Sequence, residues 1–442
     1  MKLMSCPAAF RAVLLLLLGV AFAMPASAIP AFARKYGLNC TSCHESWPVL
    51  NDFGRNFRDN GYQLRLGKDD TVTANPGYWP VAVHVVPQYL YTSLSNQATD
   101  QGKKTLGSGG IADASMDLLM AGVLTQNISF LVVPTGFASN GNVHLESYWA
   151  YFSRVLHNSD WLNIRIGQHE FDLPASSHRN LPLTESYLLY TYHPGPASLT
   201  NAGAGFNMGN TQRGIEFGGH DRASLLRYNL SVFSAGGSSG SRHAVSSPSI
   251  YGHLQKYIPI DSSALSQVEF GLWGTVANYP TTSLTLGGTA IPGTGGDLKS
   301  TTRYGFEAQA WFGNSVAPLH LNLVYGHGRD SQQLYLGGAD RSGTWNGGFL
   351  EAIWVPATDL LHWGIFARYD LIRNQNQPVL ASPSNLNDQD QWTAGVRYTF
   401  RYTHRDEVAF HFEYSANRMK GVAFDGSDVH SNALLLGVDF LY

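Results

Sequence analysis

The sequence predicts an all-β membrane protein: a transmembrane antiparallel β-barrel of about sixteen strands, preceded by a small helical N-terminal segment. Three observations predict this class. Short segments from residue 80 onward alternate apolar and polar side chains, and their connections alternate between tight turns and long loops. The composition combines 14% charged residues with 12% aromatics and 46 glycines. After residue 28, no apolar run is long enough for a spanning helix.

The first element, residues 1–28, has the organisation of an export signal. Lys2 and Arg11 precede an apolar run from Ala12 to Ala23. Ala26-Ser27-Ala28 is the small-x-small pattern that signal peptidase recognises. A run of about twelve apolar residues is too short for a spanning helix, which needs roughly 20. We therefore expect a cleaved signal peptide, so that Cys40 and Cys43 are the cysteines of the mature chain.

The second element, residues 29–79, contains the motif Cys40-Thr41-Ser42-Cys43-His44. Two cysteines at this spacing can form thioethers to the two vinyl groups of one porphyrin, and the next histidine then lies under the iron. The motif predicts one covalent haem c, with Cys40 and Cys43 as anchors and His44 as axial iron ligand. A zinc site would need two more cysteines or histidines, and a thioredoxin-like pair would need a βαβ context. A structural disulfide is the third alternative, and none of the three requires His44.

The rest of this segment offers an apolar face and basic groups for a haem. A helix is expected to open at Pro48, because Leu50, Phe53, Gly54, Phe57 and Gly61 then recur with helical spacing. Phe32, Trp47 and Tyr62 add aromatic surface. The candidates for binding the haem propionates are basic, although each is equally interpretable as a solvated charge: Arg34, Lys35, Arg55 and Arg58.

The third element, residues 80–442, is the predicted barrel. In its last segment Leu434, Leu436, Val438 and Phe440 share one face, which suits a strand between lipid and a wet lumen. A chain that ends on an aromatic with this period resembles the assembly signal of bacterial outer-membrane barrels. The strands are predicted near 80–94, 111–125, 127–138, 143–156, 161–173, 211–221, 225–235, 248–259, 265–277, 300–312, 317–328, 343–355, 360–373, 390–401, 406–418 and 429–442.

The sixth haem ligand has no obvious source within the second element, since no Met or His lies between Glu45 and Val83. His84 alternates with Val83 and Val85 and should point into the lumen, which makes it the best candidate. The alternative is a lumen histidine bonded to water or to a carboxylate. Other residues are weaker candidates: Lys68 as an unusual ligand, the inward-facing His144, His169 and His411, and Met116 and Met120, which fall on the lipid face.

The order of export signal, single haem motif and barrel resembles the fused monohaem c-type cytochrome-porins of outer membranes, best known as iron oxidases. The residues that carry the resemblance are Pro30-Ala31-Phe32-Ala33-Arg34, Cys40 to His44, and Pro48-Val49-Leu50-Asn51-Asp52-Phe53-Gly54-Arg55 with Gly61-Tyr62. The resemblance implies one-electron transfer between an extracellular donor, typically Fe(II), and soluble periplasmic carriers such as cytochromes.

The expected function is therefore electron transfer across the bacterial outer membrane through one haem c and its iron, with outer-membrane lipid around the barrel. Whether the chain is an Fe(II)-oxidising enzyme or only an electron carrier stays open. The alternatives are outward transfer to an extracellular acceptor, a porin with a structural haem plug, and peroxide-type chemistry at an open sixth position. A net charge of −3 gives no indication of a nucleic-acid partner.

Overall fold

The structure is a computed structural model, and its described residues are 31–46, 48–64, 69–74, 80–136, 143–157, 159–175, 187–192, 207–221, 223–234, 248–262, 264–280, 284–286, 289–291, 298–313, 318–331, 342–358, 361–376, 388–402, 407–421 and 426–441. The predicted signal peptide at 1–28 lies outside them. So do Trp47 and Lys68.

The N-terminal segment folds into five short elements. They are helix α1 (Ala31–Tyr36), a 3-10 turn (Cys40–Ser42), strands β1 (His44–Ser46) and β2 (Val49–Leu50), and helix α2 (Asp52–Asp59). Helix α2 begins at Asp52 because the side chain of Asn51 caps it by accepting a hydrogen bond from the amide of Gly54 at 2.9 Å. The expectation that the helix opens at Pro48 is wrong, since Val49 and Leu50 pair with β1 instead. Among the described residues, no helix is long and apolar enough to cross a membrane.

The described part of the chain contains sixteen long strands that close into an antiparallel barrel, which confirms the predicted fold class. Each strand pairs with its neighbours in sequence, and the last pairs with the first. The strands are β3 (Val81–Thr99), β4 (Gly102–Thr125), β5 (Ile128–Gly136), β6 (Val143–Phe152), β7 (Asn163–His169), β8 (Gln212–His220), β9 (Leu226–Ser234), β10 (Ser249–Pro259), β11 (Leu265–Pro280), β14 (Leu298–Phe312), β15 (Leu319–Asp330), β16 (Gly343–Trp354), β18 (Leu361–Asn376), β19 (Gln389–Tyr402), β20 (Glu407–Met419) and β21 (Val429–Leu441).

Three further short strands lie beside this set. Strands β12 (Leu284–Leu286) and β13 (Thr289–Ile291) form a separate hairpin in the connection between β11 and β14. Strand β17 (Ala357–Thr358) extends the pairing of β18 at its start. None of the three changes the sequential order of the barrel wall.

Burial along the strands shows which face meets lipid. In β20, Phe410, Phe412 and Tyr414 are 53%, 46% and 45% exposed, whereas His411 and Glu413 are buried. A polar interior with an apolar exterior is the arrangement of a transmembrane barrel, in which hydrocarbon surrounds the wall and the strands satisfy each other's backbone hydrogen bonds. The predicted alternation is therefore confirmed, and the outer face is a surface for membrane lipid.

The connections differ between the two rims. At one rim they are brief (126–127, 153–162, 221–225, 260–264, 313–318, 355–360 and 403–406), and we call it the short-turn rim. At the other, the long-loop rim, they include 170–211, 235–248 and 281–297. The predicted loop between 94 and 111 is instead a continuation of the β3–β4 hairpin, because the backbone pairing extends to Thr99 and Gly102. The rings of Tyr89 and Tyr91 lie against Gly107 and Gly109 across the strands.

The described residues of the long connection at 170–211, namely 170–175, 187–192 and 207–211, fold inward. It carries the short helix α3 (Leu188–Thr191), which lies in a buried cluster with wall residues such as Trp345 and Phe349. The hydroxyl of Tyr187 donates to Glu351 at 3.0 Å, and the amide of Leu188 donates to Asp370 at 3.2 Å. Part of the lumen is therefore occupied by these described residues, which we call the inner loop.

Candidate functional site

The two cysteines and the histidine of the motif line one cavity. The 3-10 turn, closed by the amide of Cys43 donating to the carbonyl of Cys40 at 3.0 Å, brings both thiols to the same side of the chain. Cys40 is buried, Cys43 is half-buried, and both are thiols rather than a disulfide. The cavity has a volume of about 70 Å³, and its other lining residues are mostly apolar: Phe32, Ala33, Tyr36, Leu38, Asn39, Phe57 and Leu441.

Asn51 ties the motif to helix α2. Its side-chain amide donates to the carbonyls of Thr41 and Ser42 at 3.2 and 3.1 Å, and its backbone amide donates to the carbonyl of Cys43 at 3.0 Å. The same side chain caps the helix, so the turn that carries the thiols and the first turn of α2 share one residue. Gly54 completes this contact, since a Cβ there would lie 2.1 Å from the carbonyl oxygen of Cys43.

The environment of His44 suits a neutral ligand. Its Nδ1 lies 3.3 Å from the carbonyl oxygen of Pro48, and donation from Nδ1 selects the tautomer that presents Nε2 as a lone pair. Burial lowers the pKa of His44 to about 4. Burial also raises the pKa of the Cys43 thiol to about 11. Both groups are therefore uncharged near neutral pH.

Aromatic rings pack behind the cavity and continue to the barrel wall. Phe32 stacks on Tyr62 with ring centroids 4.7 Å apart and meets Phe57 edge-on at 5.3 Å. Tyr62 in turn stacks on Trp149 of β6 at 5.8 Å. The predicted apolar face of α2 is thus partly used inside the segment, while Phe53 remains 44% exposed.

The described residues of the segment, 31–46, 48–64 and 69–74, lie within the short-turn rim, and we call them the plug. Val49 packs in a buried cluster with Ile353, Val355 and Phe366 of the wall. Glu45 lies 2.7 Å from His320 on β15, and the hydroxyl of Tyr151 on β6 donates to the carbonyl of Asp59 at 2.8 Å. Contacts to β6, β15, β16 and β18 hold the plug from several sides.

Of the four basic candidates for the propionates, the three arginines contact other groups of the chain, whereas the ammonium of Lys35 makes no hydrogen bond to a described residue. Arg55 stacks over Tyr257 of the wall, with its guanidinium carbon 4.6 Å from the ring centroid, and Arg58 pairs with Asp59 at 2.9 Å. Arg34 donates to the carbonyl of Val81. The ammonium of Lys35 is buried and makes no hydrogen bond within the described chain, and burial lowers its pKa. Among the four candidates, Lys35 thus has an ammonium without a hydrogen bond in the described chain, and the centroid of the Tyr36 ring lies 4.9 Å from it.

His84 does not lie in the cavity. Its two ring nitrogens are 3.3 Å from Asp117 and 2.8 Å from Asp439. His84 is therefore a lumen histidine bonded to carboxylates, which is the alternative that the sequence offered to a haem ligand. Its partner in the β3–β21 register, Leu441, is the barrel residue that lines the cavity. Among the lining residues His44 is the one imidazole, and no methionine is present.

The other histidines predicted to face inward lie in the barrel wall and do not line the cavity. His169 and His411 are buried, and Nε2 of His411 is 3.3 Å from Glu413. His144 is exposed at the start of β6, where it lies opposite Thr135 of β5. No group of three or more His, Cys, Asp or Glu that could hold a metal occurs in the described residues.

The chemical groups that line the cavity suit a haem c, but the cavity is too small to hold one. Two thiols and a neutral imidazole line one mostly apolar space, which is the combination that thioether attachment and iron ligation require. A cavity of about 70 Å³ is smaller than a porphyrin, so the macrocycle would have to displace lining side chains such as Phe57. Sequence reasoning found the donors but not the contacts of Asn51, Gly54 and Leu441, because these contacts depend on tertiary structure rather than on a motif.

No family model matches the chain, and no curated protein matches it. Several solved outer-membrane proteins are similar in structure. An anion-selective porin from Comamonas acidovorans is 10% identical, with 82% of this chain and 99% of that chain covered and a TM-score of 0.48. The outer-membrane channel DcaP of Acinetobacter baumannii is 11% identical, with 82% and 97% covered and a TM-score of 0.46. OprB of Pseudomonas putida is 12% identical, with 81% and 94% covered and a TM-score of 0.45. These similarities assign neither family nor activity, and the fold described above rests on the strand pairing itself.

Proposed function

We propose that this protein transfers single electrons across the bacterial outer membrane through one haem c attached to Cys40 and Cys43. The observation that carries the proposal is that both thiols and His44 line one apolar cavity within the rim of a transmembrane barrel. A thioredoxin-like role would leave the imidazole beside the thiols unexplained, and a structural zinc site would need a further ligand such as Cys or His, which the described cavity lining lacks, whereas a haem uses all three groups.

Each residue has a defined part in this proposal. Cys40 and Cys43 would hold the haem covalently, and His44 would bind its iron through Nε2 while Nδ1 donates to Pro48. The apolar lining excludes water, and Lys35 would pair with a propionate. A bound haem c supplies a one-electron couple whose potential depends on ligation and burial. The plug contacts hold the site in the lumen.

The location explains why a barrel is needed. An outer-membrane barrel presents an apolar band about 25 Å tall, and electrons cross such an insulator only where a cofactor shortens the distance. With the plug at the short-turn rim, periplasmic cytochromes or other soluble carriers would exchange electrons there, and the donor would approach from the long-loop rim. Extracellular Fe(II) is the proposed donor. Outward transfer to an extracellular acceptor uses the same parts in reverse.

The test is an optical titration of detergent-purified protein with Fe(II). Covalent haem bands that Fe(II) reduces quickly, with a six-coordinate low-spin spectrum, are expected. His44→Ala should abolish this reduction and still yield an assembled barrel, with His157→Ala, an exposed histidine of a short turn, as the matched control. Full electron transfer by His44→Ala would overturn the proposal. A high-spin haem that reacts with peroxide instead would favour small-molecule chemistry.

A passive porin with a structural plug is the second candidate, and the barrel architecture itself favours it. The plug and the inner loop both occupy the lumen, which argues against a wide aqueous pore. The two functions separate in a planar bilayer. An electron conduit is expected to pass few ions, whereas large steady conductance by wild-type protein would favour the porin.

A further inference from the structure

Arg227, the second residue of β9, lies between the two elements that occupy the lumen. Its Nε is 3.1 Å from a carboxylate oxygen of Asp59, which belongs to the plug. Its Nη2 donates to a carboxylate oxygen of Asp172, in the inner loop, at 2.9 Å. One guanidinium of the barrel wall therefore touches both the plug and the inner loop.

All three side chains are removed from solvent. The side chains of Arg227, Asp59 and Asp172 are each 7% exposed or less. Charge interactions at such sites are much stronger than those at a surface, because little water screens them. Removal of the cation would leave two buried carboxylates without it, and such a loss is costly.

Neighbouring groups keep the bridge in place. The side chain of Gln255 accepts from Nη1 of Arg227 at 2.9 Å, and the side chain of Asn229 donates to Asp172 at 2.8 Å. On the plug side, Nε2 of His220 lies 3.1 Å from the carbonyl of Asp59. The wall thus fixes the guanidinium and orients both carboxylates toward it.

A second arginine makes a longer contact between the plug and the inner loop. Arg58 pairs with Asp59 at 2.9 Å but lies 4.0 Å from Asp172. Because Arg58 belongs to the plug, its pair with Asp59 moves with the plug and does not fix the plug to the wall. The plug and the inner loop meet here across a cavity of about 90 Å³, which Arg58, Arg227 and Asp172 line.

We propose that Arg227 is a positioning residue that sets the depth of the plug in the lumen by joining Asp59 to Asp172, and that the lumen stays closed to ions while these charges are paired. The bridge fixes the distance between the motif and the inner loop, hence the distance an electron must cover. It acts whether or not a haem is attached, so it goes beyond the proposed function and can fail or hold independently of it.

The test compares wild type with Arg227→Met, which keeps the length of the side chain and removes its charge. Two quantities are measured on the detergent-purified full chain: ion conductance in planar bilayers, and amide hydrogen exchange of α2. Arg227→Met should conduct ions under conditions in which wild type shows almost no conductance. Its α2 amides should exchange at least ~10-fold faster than those of wild type, since a local opening equilibrium sets their rate.

Two further variants make the result specific. Arg154→Gln removes an arginine that pairs at 2.9 Å with Asp160 in a short turn and should behave as wild type. The triple variant Arg227→Met, Asp59→Asn, Asp172→Asn removes the charges together and should return conductance and exchange most of the way to wild type. If Arg227→Met does not assemble, Asp59→Asn breaks the bridge from the plug side and should show the same changes more weakly.

Two outcomes would overturn the proposal. One is an assembled Arg227→Met protein whose conductance and α2 exchange equal those of wild type. The other is a triple variant as open as the single variant, because the uncompensated carboxylates would then not be the cause. Absence of haem from all variants would instead contradict the proposed function and leave these readouts interpretable.

Discussion

Substitution of Gly54 by alanine tests how closely helix α2 holds the motif from Cys40 to His44. A Cβ at residue 54 would lie 2.1 Å from the carbonyl oxygen of Cys43 and 3.0 Å from a methyl group of Leu50. The first of these atoms belongs to the backbone and cannot rotate away. Helix α2 must therefore retreat by about 1 Å to restore ordinary van der Waals contact.

The magnitude follows from what that retreat breaks. Overpacking of this kind costs about 1–3 kcal/mol, and the retreat also lengthens the 3.0 Å hydrogen bond from the amide of Asn51 to the carbonyl of Cys43. We expect the plug to lose about 2 kcal/mol of local stability, which corresponds to roughly a 30-fold rise in its open population. Since the motif is then misplaced, covalent haem per barrel should fall severalfold.

The assay measures haem content by absorbance and intact mass, together with amide exchange of α2. Gly110→Ala is the matched control, because a Cβ there meets nothing within 4 Å and the residue lies in the β3–β4 hairpin. Wild-type haem content and wild-type exchange in Gly54→Ala would refute the reasoning, since they would mean that α2 does not press on the motif. Normal haem with fast exchange would refute only the step from helix position to attachment.

Three further predictions follow from named contacts. Asn51→Leu removes a helix cap and two hydrogen bonds to the motif, so local stability of the plug should fall by about 2 kcal/mol, and unchanged α2 exchange would contradict this. Arg397→Met leaves two buried carboxylates, Glu407 and Asp439, without their shared cation. The free energy of unfolding, measured with urea, should therefore drop by about 3–5 kcal/mol. A drop below about 1 kcal/mol would contradict a buried network there. Burial alone would raise the pKa of Asp59, but Arg227 and neighbouring charges hold it below its ordinary value of 3.8. Its contribution to plug stability is therefore complete above 3.8 and is lost as pH falls through the lowered pKa. Wild-type conductance should rise in that acid range, and a variant with Asn at residue 59 that keeps the full acid response would contradict the assignment.

Strand positions could be predicted because they depend on a local pattern. Each predicted strand has one counterpart in the barrel, and in segments such as β20 the faces are as expected: Phe410 and Phe412 meet lipid, while Glu413 is buried. One error arose where pairing overrides pattern. The β3–β4 hairpin continues through the predicted loop at 94–111 because its partner strand supplies hydrogen bonds that no local signal reports.

By itself the sequence determined the class of fold and the chemical identity of the candidate site. A two-residue period specifies which side chains face hydrocarbon, and two thiols with an adjacent imidazole specify a donor set, so both can be read without coordinates. Only the tertiary structure decided how the site is held. The capping of α2 by Asn51, the carbonyl of Cys43 against Gly54, the bridge from Asp59 through Arg227 to Asp172, and the engagement of His84 by two carboxylates join residues distant in sequence. Such contacts follow from how a closed barrel brings its strand ends around the plug, and no short stretch of sequence records that geometry.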